Sequence, residues 1–372
     1  MLWSYKQPVK ILFGAGQAEK IADILGDLGF GNGLLVCDAI FAQDGSANRI
    51  LQASQGRLTS IFSEIVPNPT VENVDACADA IRRGNHLFVL ALGGGSAIDC
   101  AKAACSVAAA NLPTHEYLHG RAKIGSEHFP LIAMPTTAGT GSEVTPVSVL
   151  CDNSVGLKAP IVSDNFYPEL TIVDPVLTLS VPPKVTANTG MDVLAHALEG
   201  YWSRNHQPIC DALALHAAGL VFESLVATYQ DGENLGFREK MCEASIIAGL
   251  AFGQPKTTGP HACSFPLTSI YGIPHGEACA LTLDSFVRIN ANVENGRVQK
   301  LSRNLGFTDA DAMADRIYQM KCEMGMVVTT AQAGIPESEL SALAEKSMHP
   351  NMLNNPVEMT PESILEIYRS LG

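Results

Sequence analysis

The chain has no Cys-x-x-Cys pair, no dense Lys/Arg run and no basic-then-apolar start, and no apolar stretch in it reads as long enough to cross a bilayer. Each absence removes a class of function. Ten cysteines, among them Cys37, Cys100, Cys151, Cys263 and Cys279, are scattered without pairing. They read as reduced thiols that fill apolar space, which places the protein in the cytoplasm. A disulfide framework, the rival reading, belongs to small secreted domains that cannot bury enough surface. The formal net charge is -14, so a phosphate-backbone footprint is missing and nucleic acid is excluded as a partner. The start, Met1-Leu-Trp-Ser-Tyr-Lys-Gln-Pro-Val-Lys10, lacks a signal pattern, so the chain is expected to be soluble, unexported and without a membrane partner.

What is present is a well-populated core. Hydrophobic residues make up 47% of 372 residues against 17% charged, a composition that folds throughout and at a length that favours two domains. Short apolar runs punctuate the first half: Gly33-Leu-Leu-Val-Cys37, Leu87-Phe-Val-Leu-Ala-Leu92, Pro130-Leu-Ile-Ala-Met134 and Leu170-Thr-Ile-Val173. They are continuous rather than alternating, as parallel strands covered on both faces should be, and helical stretches such as Val74 to Arg83 and Ala97 to Ala109 separate them. After Asp174-Pro175 the pattern changes to long helical segments: Ala187 to Ser203, Cys210 to Tyr229 and Arg238 to Phe252. The expected boundary lies near Val181-Pro182-Pro183, where prolines stop a helix from continuing. The fold class is therefore an α/β N-terminal nucleotide-binding domain over residues 1–181 and an all-α C-terminal domain over residues 182–372. No repeat or low-complexity tract interrupts them.

Two segments suit a dinucleotide. Gly93-Gly-Gly-Ser96 follows one strand and opens a helix, where backbone amides and a helix N-terminus cradle a pyrophosphate. Its spacing is not the Gly-x-Gly-x-x-Gly fingerprint, and a tight strand-to-helix turn needs no ligand at all. Asp38 ends the strand from Gly33. From there a carboxylate accepts bonds from both adenosine ribose hydroxyls and repels a 2′-phosphate, favouring NAD(H) over NADP(H); the same residue can also serve merely as a helix cap. Pro135-Thr-Thr-Ala-Gly-Thr-Gly-Ser-Glu143 follows another strand on the same side and gathers hydroxyl donors into a second candidate cofactor loop.

Asp192 and His196 stand four apart in a helical segment, so both project from one face about a turn apart. His261, in Gly-Pro-His-Ala-Cys263, and His275, in Ile-Pro-His-Gly-Glu277, lie in Gly/Pro-punctuated segments able to bring two more imidazoles to a common ion. Any one of these histidines is more readily a satisfied core or surface residue; the set of four carries the reading. Its N and O donors suit Fe²⁺ or Zn²⁺. His86, His115, His119, His128, His206, His216 and His349 have no partners at comparable spacing and stay unassigned.

Taken together, Gly93 to Asp99 with Lys102, Pro135 to Thr145, Gly190-Met-Asp-Val-Leu-Ala-His196 and the His261 to His275 region resemble the iron-containing (group III) alcohol dehydrogenases, in the family's order and over most of the chain. The resemblance implies a Rossmann-like NAD(P) domain, a helical domain, a metal site in the cleft between them and, commonly, a homodimer. It implies that Asp38, Asn68, Gly94, Gly95, Ser96, Asp99, Thr136, Thr137, Ser142 and Lys158 line the cofactor site. It also implies that Asp192, His196, His261 and His275 bind the metal and act through it. The expected reaction is hydride transfer between nicotinamide and a small alcohol or aldehyde: short aliphatic, diol-derived or anionic. Relatives often carry a histidine four residues after the third metal ligand, where this chain has Phe265 before Pro266. Phenylalanine relays no proton, which leaves bulk water, a ribose hydroxyl or another group for that task. The rival is a metal- and NAD-dependent lyase like dehydroquinate synthase, which requires basic residues for a phosphorylated substrate; no Lys/Arg cluster stands around His261 to His275. A non-catalytic binding protein with a structural metal would leave both cofactor loops idle.

Overall fold

The computed structural model describes residues 3–110, 112–293 and 296–372. It divides into two compact units. One comprises Gln7–Thr137 and Gly141–Leu179; the other comprises Ser180–Gly372 together with residues 3–6 and Ala138–Thr140.

The first unit is built on strands β1 (Lys10–Phe13), β2 (Gly33–Asp38), β3 (Leu58–Ile65), β4 (Phe88–Gly93), β5 (Leu131–Pro135), β6 (Val147–Asp152), β7 (Leu157–Val162) and β8 (Leu170–Val173). Six of them form a parallel sheet in the order β1-β8-β5-β4-β2-β3, and β6 pairs antiparallel with β7. Helices α1 (Ile21–Asp27), α2 (Ala39–Gln43), α3 (Ser46–Ala53), α4 (Val71–Arg83), α5 (Gly95–Ala108) and α6 (Thr114–Leu118) lie between strands. The continuous apolar runs have a direct cause, since side chains alternate between faces and both faces are covered. Leu34 and Val36 of β2, with Val89 and Ala91 of β4, enter the core that α4 and α5 cover. Leu35 and Cys37, with Phe88, Leu90 and Leu92, enter the core on the other side.

All four sequence-predicted strands form, within a residue of their expected ends. Two further sheet strands, β1 and β3, were missed for one reason: they are the edges. Their polar and half-exposed positions, such as Lys10, Thr59 and Glu64, dilute the apolar pattern. From β2 the chain runs outward to β3, then returns past β2 to β4 and proceeds the other way to β5 and β8. The reversal falls between β2 and β4. Ligands of open α/β sheets bind beyond the carboxyl ends of the strands at such a point.

The second unit is helical: α7 (Pro183–Trp202), α8 (Pro208–Gln230), α9 (Leu235–Phe252), α10 (Gly259–Tyr271), α11 (His275–Ile289), α12 (Arg297–Asn304), α13 (Ala310–Glu323), α14 (Leu340–Lys346) and α15 (Pro361–Ser370). Pro183 opens α7 in its first turn, where a missing amide hydrogen costs nothing. Gly190 lets α8 approach, because a Cβ there would stand 2.1 Å from a Leu225 methyl. Helix α10 forms across a segment rich in punctuation: Pro260 occupies its first turn, and Pro266 is accommodated inside it.

One expectation is corrected. Helix α8 is long and apolar enough, by length and composition, to cross a membrane, although 39% of its most apolar window is buried within the protein. Asp211, His216 and Glu223 break the run in one dimension and hide this from the sequence. On the helix its alanines and Val221 and Leu225 join the core with α7 and α9, so the apolar character serves helix packing there.

Asp174, only 2% exposed, ties the end of β8 to the turn after β1. Its carboxylate accepts hydrogen bonds from the backbone amides of Gly16 (3.1 Å), Ala18 (2.9 Å) and Val176 (3.1 Å). Asp174→Ala strands three amides and is expected to cost about 2–4 kcal/mol, read as a lower urea midpoint for the full chain, with Asp174→Asn losing less.

Candidate metal and cofactor sites

Helix α7 presents Asp192 and His196 from one face, a turn apart. Helix α10 supplies His261 from its first turn, and His275 is the first residue of α11. The four side chains meet. Asp192 Oδ1 lies 3.4 Å from His261 Nε2, 3.8 Å from His275 Nε2 and 3.9 Å from His196 Nε2, and the His196 and His261 Nε2 atoms are 3.0 Å apart. Donors bound to one ion at about 2.0–2.2 Å cannot stand more than about 4.4 Å from each other, and all four distances satisfy that limit.

A second observation points to a cation. Asp192 Oδ1 is buried and has no hydrogen-bond partner among the described residues, although three imidazole nitrogens surround it. A buried carboxylate oxygen left so would be costly; a divalent ion at the shared centre satisfies it, and the residues present fit one. Burial alone would raise the Asp192 pKa, but His196, His275 and His261 together hold it well below the usual carboxylate range. Burial drives His196 down to about 4, keeping it neutral and fit to ligate. The Phe252 ring stacks on His196 at 4.0 Å between centroids and fixes its plane. Three of the side chains are 4–6% exposed while His275 is 34% exposed, so the cluster opens at His275.

Two residues near the cluster were not anticipated. Cys279, one turn beyond His275 on α11, has its sulfur 3.9 Å from His275 Nε2 and joins Asp192, His261 and His275 in a group of potential ligand atoms all within 4.8 Å of one another. Glu199, two turns beyond Asp192, accepts a 2.5 Å hydrogen bond from His261 Nδ1. Both follow the helical spacing that identified Asp192 and His196, and that periodicity was the available signal. Phe265 stacks on His349 at 4.1 Å, so an imidazole from a distant part of the chain packs against the phenylalanine.

In the α/β unit, the expected cofactor residues collect at the carboxyl ends of β2 to β5, about the reversal in strand order. The Asp38 side chain makes no cap bond to α2; it lies over Gly93, where a Cβ would stand 2.5 Å from its Oδ2. Burial raises the Asp38 pKa and a bond from the Gly94 backbone opposes this. Gly94 and Gly95 open α5, and Thr137 Oγ1 lies 3.3 Å from the place of a Gly94 Cβ. The Thr136 amide donates to the Gly93 carbonyl at 3.1 Å. Asn68, in the left-handed region at φ 54°, donates its amide to Ser96 Oγ and accepts from Lys158 Nζ at 2.8 Å.

Asp99 and Ser142 bond to each other within the protein framework. Ser142 Oγ donates to Asp99 Oδ1 at 2.5 Å, the Val149 amide donates to Asp99 Oδ2 at 2.8 Å, and buried Lys102 donates to Ser142 Oγ at 2.8 Å. These bonds brace the second loop against α5.

A buried Asp-His-His-His cluster in the helical unit and a glycine-rich strand-end turn in the α/β unit are the parts of a metal-dependent oxidoreductase. The sequence pattern of the iron-containing alcohol dehydrogenases matches residues 8–175, and that of the family's C-terminal part matches residues 186–372. Alcohol dehydrogenase 4 of Saccharomyces cerevisiae is 31% identical over 372 residues, 98% of this chain and 97% of that protein. The 1-propanol dehydrogenase of Salmonella typhimurium is 34% identical over 91% of this chain and 92% of its own length. A crystal structure of sulfoacetaldehyde reductase from Bifidobacterium kashiwanohense in complex with NAD+ superposes with a TM-score of 0.98 at 52% identity, covering 100% of this chain and 99% of the other. The chain belongs to the iron-containing alcohol dehydrogenase family. These relatives are alcohol dehydrogenases and an aldehyde reductase, which supports net hydride transfer over the lyase alternative.

Two outcomes are expected here. Gly276, next to His275, lies so close to α7 that a Cβ would stand 1.9 Å from the Asn188 carbonyl oxygen. Gly276→Ala must push α11 away, so its affinity for Zn²⁺ should fall about tenfold or more while far-ultraviolet circular dichroism stays unchanged. Glu143, 2% exposed, is pushed by burial up to about 7 from 4.5. The folded state therefore holds a proton that the unfolded chain releases, and stability falls as pH rises from about 4.5 to about 7. Glu143→Gln should abolish that fall, on the order of 2–3 kcal/mol, in thermal midpoints taken at pH 5 and pH 7.5.

Proposed function

We propose that the chain is an NAD(H)-linked, metal-dependent aldehyde reductase acting on a small anionic aldehyde, with sulfoacetaldehyde the first candidate. The observation that carries the reaction class is the buried Asp192 oxygen facing three imidazole nitrogens. The substrate class draws its support from the sulfoacetaldehyde reductase that is 52% identical over the whole chain. Asp192, His196, His261 and His275 hold Fe²⁺ or Zn²⁺, and Asp38 with the Gly94–Ser96 turn receives NAD(H). When bound, the ion supplies a Lewis acid for the substrate oxygen, and the nicotinamide supplies or accepts the hydride.

The chain's own groups do the positioning. Asp192 contributes the anionic ligand, His196 is kept neutral by burial, and the exposed side of His275 leaves an approach for a small substrate. Phe265 brings no proton, which leaves proton transfer to solvent, a ribose hydroxyl of the bound cofactor or another group. Asp38 opposes a 2′-phosphate, which favours NADH over NADPH. The enzyme works as a soluble cytoplasmic homodimer without membrane or nucleic-acid partners, a reading supported by ten free thiols and by the family resemblance; a monomeric mass by light scattering would remove the dimer.

A panel of sulfoacetaldehyde, acetaldehyde, propanal and 3-hydroxypropanal, assayed with NADH and NADPH after loading with Fe²⁺ or Zn²⁺, is decisive. The highest kcat/KM is expected for sulfoacetaldehyde with NADH. A neutral aldehyde turned over faster overturns the anionic substrate, and a preference for NADPH overturns the role of Asp38.

A further inference from the structure

Glu199 is fully buried on α7, and every bond it makes leads toward or away from the metal cluster. Its Oε1 accepts from His261 Nδ1 at 2.5 Å. Its Oε2 accepts from the Thr258 amide and from Thr258 Oγ1, the latter at 3.0 Å. Thr258 Oγ1 in turn accepts from the indole N–H of buried Trp202 at 2.8 Å. The donors thus converge on Glu199, from Trp202 through Thr258 on one side and from His261 on the other.

We propose that Glu199 is the positioning residue of the metal site, holding His261 in the tautomer that binds. The inference rests on the reading that Asp192, His196, His261 and His275 hold the ion. A carboxylate at Nδ1 requires the hydrogen there and leaves the Nε2 lone pair free for a cation; such outer partners orient an imidazole and raise its basicity.

A glutamine cannot take this place. With its carbonyl toward His261, its amide group meets the Thr258 N–H donor to donor. With its carbonyl toward Thr258, its amide group faces His261 Nδ1 and forces the hydrogen onto Nε2, the tautomer unable to ligate.

The test measures Zn²⁺ affinity by chelator competition in the full-length protein, the visible spectrum of the Co²⁺-loaded protein, and the thermal midpoint with and without metal. Glu199→Gln should weaken Zn²⁺ binding about ten- to hundredfold and alter the Co²⁺ spectrum, and the rise in thermal midpoint that added metal produces should shrink accordingly. Thr258→Val, which keeps the amide but loses the hydroxyl, should weaken binding only severalfold and serves if Glu199→Gln fails to fold. Unchanged affinity and spectrum in Glu199→Gln, or in Thr258→Val in its stead, overturn the proposal. So does a lower metal-free midpoint with metal binding intact, which marks a purely structural role. His261→Ala runs alongside: if it too keeps its metal, the ligand assignment falls, and if it alone loses metal, only the role of Glu199 falls.

Discussion

A carboxylate oxygen that is buried and, among the described residues, matched by no hydrogen bond constrains the whole helical unit. Asp192 sits in the middle of α7, and its three imidazole neighbours come from α7, α10 and α11. To gather them around one point, the helices must approach more closely than ordinary side chains allow. Gly276 is where that happens, with the place of a Cβ crowded by the Asn188 carbonyl of α7, while Gly190 lets α8 pack against the same helix. Site geometry and helix packing are thus one problem here: the residues that permit close approach matter as much as those that hold charge.

The α/β unit meets a different demand. Its parallel strands are saturated with apolar side chains on both faces, so chemistry is confined to the strand ends. The sheet reverses its order between β2 and β4, where Asp38 and Gly94 stand. Behind them Lys102, itself fully buried, donates to Ser142 Oγ and to the Thr145 and Val147 carbonyls. Burial pushes this ammonium down to about 8, yet its many acceptors keep it in use as a brace. A cofactor loop rich in threonine and glycine would otherwise be soft, and a buried cation gives it a fixed shape.

Much of this was legible in the sequence, and what was not has physical reasons. Central strands announce themselves because burial on two faces demands unbroken apolar runs; β1 and β3 do not, since one flank of an edge strand tolerates polar residues. Asp192 and His196 were readable from helical spacing alone, and His261 and His275 from their company. Glu199 lay two turns along the same face as Asp192, but a glutamate on a helix is by default a solvated residue, and only burial distinguishes it. Asp99 and Ser142 hydrogen-bond to each other across two separate motifs, a contact that spacing along the chain does not reveal. The stacking of His349 on Phe265 had no local signal at all, because 84 positions separate the two.

The short excursion of Ala138–Thr140 into the helical unit has a consequence for how this chain can be divided. Those residues interrupt the α/β unit in sequence and pack with the other, Gly139 so close to Thr189 that a Cβ would stand 2.7 Å from the threonine Cβ. The helical unit is therefore discontinuous, and a gene cut at residue 180 would not separate the two intact. The fragment from Ser180 onward would lack a wall piece that only the other fragment encodes. Neither unit is thus a module that recombination could exchange by a single crossover, and the two are inherited as a pair.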